Sequence, residues 1–181
     1  MKHMHAATWG LLAAWAAHDV EELATMASSS RDILSRVPEG VPVPEEWREH
    51  GVPQHHIVTA IGVMAVLMAA ASADGARTRG SSTLYRGTLL GFGLHGFGHL
   101  ASAAALRRYT PGVATSPVIV IPFWLWARQV LHRHGLRDIE PSTVAIAALG
   151  PALALAVHSG VRACQSGSRG ARAVTASSAG V

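Results

Sequence analysis

The chain has 181 residues, of which 49% are hydrophobic and 14% charged, and its mean hydropathy is +0.26. Soluble domains carry roughly a quarter of their residues charged, so this composition excludes a disordered chain and argues against an ordinary water-soluble domain. The single cysteine, Cys164, excludes an internal disulfide and a zinc site built on several thiolates. The net charge of +4 comes from arginine scattered through connections and tail without interleaved aromatics. That pattern reads as charge flanking membrane spans, and excludes a nucleic-acid footprint.

The apolar residues gather in five blocks, which predict an all-α integral membrane bundle of about five transmembrane helices. In chain order they run from Ala6 to Ala27, His56 to Ala73, Leu84 to Leu106, Val113 to Val130 and Ser142 to Ala163. Each is near the ~20 residues that a helix needs to cross about 30 Å of hydrocarbon. Within lipid the backbone must satisfy its own hydrogen bonds, so blocks of this length are read as helices. The fourth block contains Pro117 and Pro122, which predict a kinked or tilted span, and Trp124 and Trp126 suit an interfacial position.

The connections are short except for Ser28 to His55. Pro38, Pro42, Pro44 and Pro53, with Glu39, Glu45, Glu46 and Glu49, mark that stretch as an ordered polar loop outside the membrane. A short surface helix is expected near Glu45 to Glu49. Residues 1–163 form one transmembrane domain in this reading, and 164–181, rich in Ser, Gly, Ala and Arg, are expected to be a disordered tail. Lys2 and the apolar run Ala6 to Ala17 resemble the start of a signal peptide. However, His18, Asp19, Glu21 and Glu22 stand where a cleavage region should be small and neutral, so the segment is expected to be retained. The basic residues divide almost evenly between the two sides, which leaves orientation open.

Ionisable groups inside spans cost ~2.5–3.5 kcal/mol each on insertion scales and are functional candidates by default. His18-Asp19-Val20-Glu21-Glu22 closes the first block. Positions three and four apart share a helical face, so His18 stands over Glu21 and Glu22, whereas Asp19 points about a quarter-turn away. One imidazole and two carboxylates on one face can bind iron, manganese or zinc, or form a proton relay. The plainer alternative is a solvated span end. A second cluster, His95-Gly96-Phe97-Gly98-His99, puts two imidazoles at i and i+4 in the middle of the third block, a spacing that lets both reach one metal. The plainer reading there is a pair of buried histidines bonded to backbone or to each other. Gly87, Gly91, Gly93, Gly96 and Gly98 would let a neighbouring helix come close enough to bring the two clusters together.

His56, where the loop enters the second block, is a further candidate, while its neighbour His55 is read as a wet interfacial residue. His158 is read as a structural histidine in the fifth block. His3, His5, His50, His132 and His134 fall in polar flanks. No phosphate loop, nucleophile elbow or His-Glu-x-x-His motif is present. Arg108-Tyr109-Thr110-Pro111-Gly112 reads as a type II turn between the third and fourth blocks, with Pro111 presetting φ and Gly112 supplying φ > 0. Arg108 is free to pair with a site carboxylate or a lipid head group.

His18-Asp19-Val20-Glu21-Glu22 at the end of a first apolar helix resembles the defining motif of the HXXEE-domain family, small bacterial membrane proteins. A second stretch is similar to the family too. It comprises His99, then Arg108-Tyr109-Thr110-Pro111-Gly112-Val113-Ala114-Thr115, then Pro122. His95 departs from that pattern, where an amide such as Asn is expected in many relatives. The resemblance covers roughly residues 6 to 130 and implies a multi-pass protein of a bacterial cytoplasmic membrane, with no settled reaction.

From these residues a metal-dependent membrane enzyme acting on a lipophilic small molecule is expected, with His18, Glu21, Glu22 and His99 as ligands and His95 and His56 as further candidates. Mixed imidazole and carboxylate ligation suits non-haem iron and oxygen chemistry, by analogy with di-iron carboxylate bundles. The rival is a zinc or manganese hydrolase or lyase in which Glu21 or Glu22 is the general base. A third possibility is an ion- or proton-coupled carrier, and a fourth a structural subunit.

Overall fold

The computed structural model describes residues 2–41 and 43–178, with side chains as far as residue 165. Every element among them is helical: α1 (Lys2–Leu34), α2 (Glu45–His50), α3 (Gln54–Arg77), α4 (Thr83–Leu106), a π-helical turn (Ser116–Val120) leading directly into α5 (Ile121–Arg133), and α6 (Pro141–Ser178). Among the described residues three helices, not the expected five, are long and apolar enough to cross a membrane: α3, α4 and Pro141–Gln165 of α6. The first block lies within α1, where Asp19, Glu21 and Glu22 lower the hydropathy of a helix 33 residues long. The fourth block is divided. Pro117 stands in the π-helical turn, Pro122 lies near the start of α5, and α5 itself has only 13 residues. Residues 179–181 of the expected tail, and its side chains from 166 onward, lie outside the described residues.

Packing at one end of the bundle is set by Tyr85. Its hydroxyl donates to the Ala7 carbonyl at 2.9 Å, and its ring lies against Gly75, so that one fully buried side chain joins α1, α3 and α4. Leu11, Leu89, Val120 and Leu131 complete a core without solvent access. Small residues on α4 set its distance to its neighbours. Gly87 meets Ile146 of α6, Gly93 meets the Trp124 indole, and Gly96 meets Val120 of the π-helical turn. The close approach expected from the glycines therefore occurs, although at Gly98 the space is open.

Charge is neutralised locally at this same end. The Asp138 carboxylate, buried beside α5, takes Arg128 Nε and His132 Nε2, each at 2.6 Å, and Arg86 reaches Glu140 at 3.0 Å. At the opposite end, the Arg48 guanidinium of α2 donates to the carbonyls of Leu34, Val37, Pro38 and Val41 at 2.6–3.2 Å. These carbonyls belong to the end of α1 and the segment after it, where turn hydrogen bonds replace the helical ladder. Val52 N–H donates to Ser30 Oγ at 2.8 Å and Gln54 to the Leu23 carbonyl at 3.0 Å, so the long connection is ordered against α1. The short helix expected near Glu45 is α2.

Candidate metal centre

Two helices supply the centre, each with a pair of residues one turn apart. His18 and Glu22 project from α1, and His95 and His99 from α4. One donor atom from each of the four lies within 4.8 Å of all the others. Glu22 Oε1 is 3.9 Å from His18 Nε2 and 3.3 Å from His99 Nε2, and the Nε2 atoms of His95 and His99 are 2.7 Å apart. The three imidazole rings stand edge to face, with centroids 4.2–5.3 Å apart. Metal–nitrogen bonds of about 2.0–2.1 Å at tetrahedral or square angles require donor separations of about 3–3.4 Å. Shifts of a few tenths of an ångström within side-chain rotamers bring the closest pairs to those values.

Hydrogen bonds behind the rings fix which ring nitrogen faces inward. Thr115 has one hydroxyl proton. It donates that proton to Glu21 Oε2 at 2.6 Å, because an ionised carboxylate can only accept. Thr115 Oγ1 itself lies 2.7 Å from His18 Nδ1 and, with its own proton already given, must accept the Nδ1 proton. His18 Nε2 is left with a lone pair, buried and without any hydrogen-bond partner, aimed at the Glu22 carboxylate. A buried polar atom without a partner costs about 1–3 kcal/mol, and a cation at the centre would satisfy it. His99 has the same polarity. Its ring bonds to the Pro111 carbonyl on the side facing the 111–112 turn, while Nε2 faces the centre, where it accepts a hydrogen bond from His95 Nε2 at 2.7 Å. Metal-ligating histidines are oriented by such outer partners.

Both bonds come from the turn after α4. Gly112 has φ +80°, as the type II turn requires, and a Cβ there would stand 2.7 Å from His18 Cε1 and from His99 Cε1 and Nδ1. The turn is thus a lid of bare backbone over two imidazoles. Glu21 holds it in place. Besides Thr115 Oγ1, Glu21 accepts the backbone N–H groups of Ala114 at 3.1 Å and Thr115 at 2.8 Å, and the Tyr109 hydroxyl. Partial desolvation and the facing Glu21 carboxylate hold the Tyr109 phenol above its usual pKa.

Among the residues singled out from sequence, His18, Glu22, His95 and His99 come together. Glu21 does not point into the group: adjacent to Glu22, it faces the 109–115 segment. His56 is elsewhere, with its Nε2 2.9 Å from His158 Nδ1, its ring stacked on His158, and Trp47 of α2 packed edge-on at 4.8 Å. This is a wall between the loop and α6. Asp19 is buried beside Glu22 but outside the four-donor set. Arg108 pairs with Asp32 and reaches no site carboxylate. Sequence reasoning did not single out Thr115 and Gly112 as parts of the centre. The available signal was the Arg-Tyr-x-Pro-Gly-x-x-Thr segment, read as a tight turn and as part of the family resemblance but given no place at the centre. A shallow depression of about 540 Å³ lined by Leu125, Trp126, Arg128, Gln129 and His132 lies towards the far end of α5, away from this chemistry.

The sequence model of a family described as "Protein of unknown function with HXXEE motif" matches residues 9–127, a span that holds all four donors and the 109–115 turn. No curated protein and no solved structure matches the chain.

Proposed function

Since the chain belongs to the family of proteins of unknown function with an HXXEE motif, which carries no assigned reaction, we propose from the site itself that it is a metal-dependent, multi-pass membrane enzyme acting on a lipophilic small molecule. The observation that carries this reading is the buried Nε2 of His18, held as a bare lone pair by the Glu21–Thr115 chain and facing three further donors within 4.8 Å. An outer hydrogen bond on Nδ1 with Nε2 turned inward is the arrangement in which proteins hold a metal-ligating histidine. Iron is the metal we favour, because mixed imidazole and carboxylate donors with one exposed side suit a non-haem iron centre. The chemistry iron supplies when bound is oxygen activation for oxidation of an unactivated carbon. The chain's own residues do the rest. His18 and Glu22 fix the inner side, His99 is held by the turn, and the Gly112 lid keeps water off the rings.

Three imidazoles with a fourth position left open also match a catalytic zinc, which favours a hydrolase or lyase as the second reading. In that version Glu22 is the one motif carboxylate placed to act as general base, since the Glu21 oxygens are already committed to the turn. Elemental analysis of purified protein tests both. Near-stoichiometric iron is expected in the wild type, and its loss in His18→Ala, Glu22→Ala and His99→Ala. Zinc in place of iron transfers the proposal to the hydrolase. Full metal retention in any one variant removes that residue from the centre, and a carrier is the reading left if no metal is held and pH-dependent ion flux appears in liposomes.

A further inference from the structure

The face of the centre that protein does not cover lies on α4, at His95. We propose that the space between α4 and α6 beside His95 is a lateral cleft that binds the hydrocarbon tail of a single membrane lipid and leads it to the centre. This inference rests on the membrane-enzyme reading above and names the class of molecule that reaches its site.

The two walls are visible in the packing. At their first turns α4 and α6 are in contact: Gly87 meets Ile146 and the Thr143 carbonyl, and Gly91 meets Ala147. Residues one or two turns further along the same α4 stripe are His95 and Gly98. His95 is exposed, and a Cβ at Gly98 would meet nothing within 4 Å. On α6 the bundle-facing stripe Thr143, Ala147 continues as Gly150 and Ala154. The first two are buried and the next two only half-buried, with open space at Gly150. The helix regains the bundle at His158, bonded to His56 of α3, and at buried Val161. Between these two attachments the bundle-facing stripe of α6 is only half-buried. Pro151 lies in that stretch, where its missing N–H removes a helical hydrogen bond and permits a bend.

Depth and composition identify the occupant. His95 is near the middle of the 24-residue α4, so at 1.5 Å per residue it lies roughly 17 Å from either end. That is the centre of a bilayer, where the medium beside an exposed side chain is acyl chain and not water. From Gly87 to Leu106 on α4 and from Ser142 to Val161 on α6 there is no Asp, Glu, Lys or Arg, so nothing along the cleft would hold a charged head group. Walls of Gly and Ala leave a slot suited to an unbranched chain.

The test uses the full chain, metal-loaded, in lipid nanodiscs with palmitic acid carrying a mid-chain diazirine. After photolysis, adducts are mapped by peptide mass spectrometry. Labelling is expected to concentrate in residues 94–102 and 149–157, and excess unlabelled palmitic acid should compete it away. Gly98→Trp, or Ala154→Trp on the facing wall should Gly98→Trp not fold, is expected to reduce this labelling severalfold with metal content unchanged. Gly62→Trp, in open space on α3, should leave it unaltered. Labelling spread evenly over all lipid-facing helices, labelling insensitive to competitor and to both cleft variants, or a cross-linked two-chain species from Gly98→Cys would each overturn the cleft. Metal content is read separately: a metal-free wild type defeats the enzyme reading, while uneven, competable labelling would still support the cleft.

Discussion

Thr115 decides which nitrogen His18 turns inward although it contributes no donor atom to the four-residue group. Its hydroxyl has one proton and two neighbours that differ in kind, the Glu21 carboxylate and the His18 imidazole, so the direction of both hydrogen bonds is settled. Replacing Thr115 with Val removes the acceptor for His18 Nδ1–H and frees the ring to present the protonated nitrogen to the metal. Outer-shell losses of this kind reduce metal affinity by about 10–100-fold. Titration with a competing chelator should show that loss in Thr115→Val and recovery in Thr115→Ser, with the melting temperature of the two apo-proteins similar. The residue scale is also where the sequence was most and least informative. His18 with Glu22, and His95 with His99, were visible because a helix places i and i+4 on one face whatever surrounds it. The distinct task of Glu21 was hidden because its partners lie 93 and 94 positions away, and no local period reports such a contact.

α4 illustrates how an element can carry both packing and chemistry. Its glycines are spent on different neighbours: Gly87 on α6, Gly93 on Trp124, Gly96 on the π-helical turn. A side chain at Gly93 would enter the indole ring, and overpacking of this type costs about 1–3 kcal/mol. Gly93→Leu is therefore expected to lower the melting temperature in detergent, while Gly98→Leu, directed into open space, should leave it near the wild-type value. Helix existence was legible from the apolar blocks, but the number of spanning helices was not. The first block and the site share the same residues, so the carboxylates that make α1 functional also remove it from the set of apolar helices. In the fourth block Pro117 and Pro122 divide the run into a π-helical turn and a 13-residue helix. The turn then sits next to the centre, and Thr115 is its N-cap residue.

For the whole molecule, the centre joins α1, α4 and the turn after α4, and adds to the Glu21 hydrogen bonds and the Arg108–Asp32 pair that already tie the turn to α1. A metal bound only in the native state stabilises the fold by mass action, by about 2.7 kcal/mol when its free concentration is 100 times the dissociation constant. Chelator treatment should accordingly lower the unfolding temperature of the wild type, and readdition of metal should restore it. The same treatment should leave His99→Ala unmoved. A centre that is merely adventitious would show no difference between the two proteins.

The reach of the Glu21 bonds across the chain also bears on how the protein is made. α1 leaves the ribosome carrying Asp19, Glu21 and Glu22 long before residues 109–115 exist to receive Glu21. Until then the helix holds three carboxylates with no latch, and it is poorly suited to settle in lipid alone. Its final seating must wait for the hairpin formed by α4 and α5, so any cation taken by the four donors would be loaded after insertion. A truncated nascent chain ending before Tyr109 would leave α1 at the bilayer surface with nothing to capture.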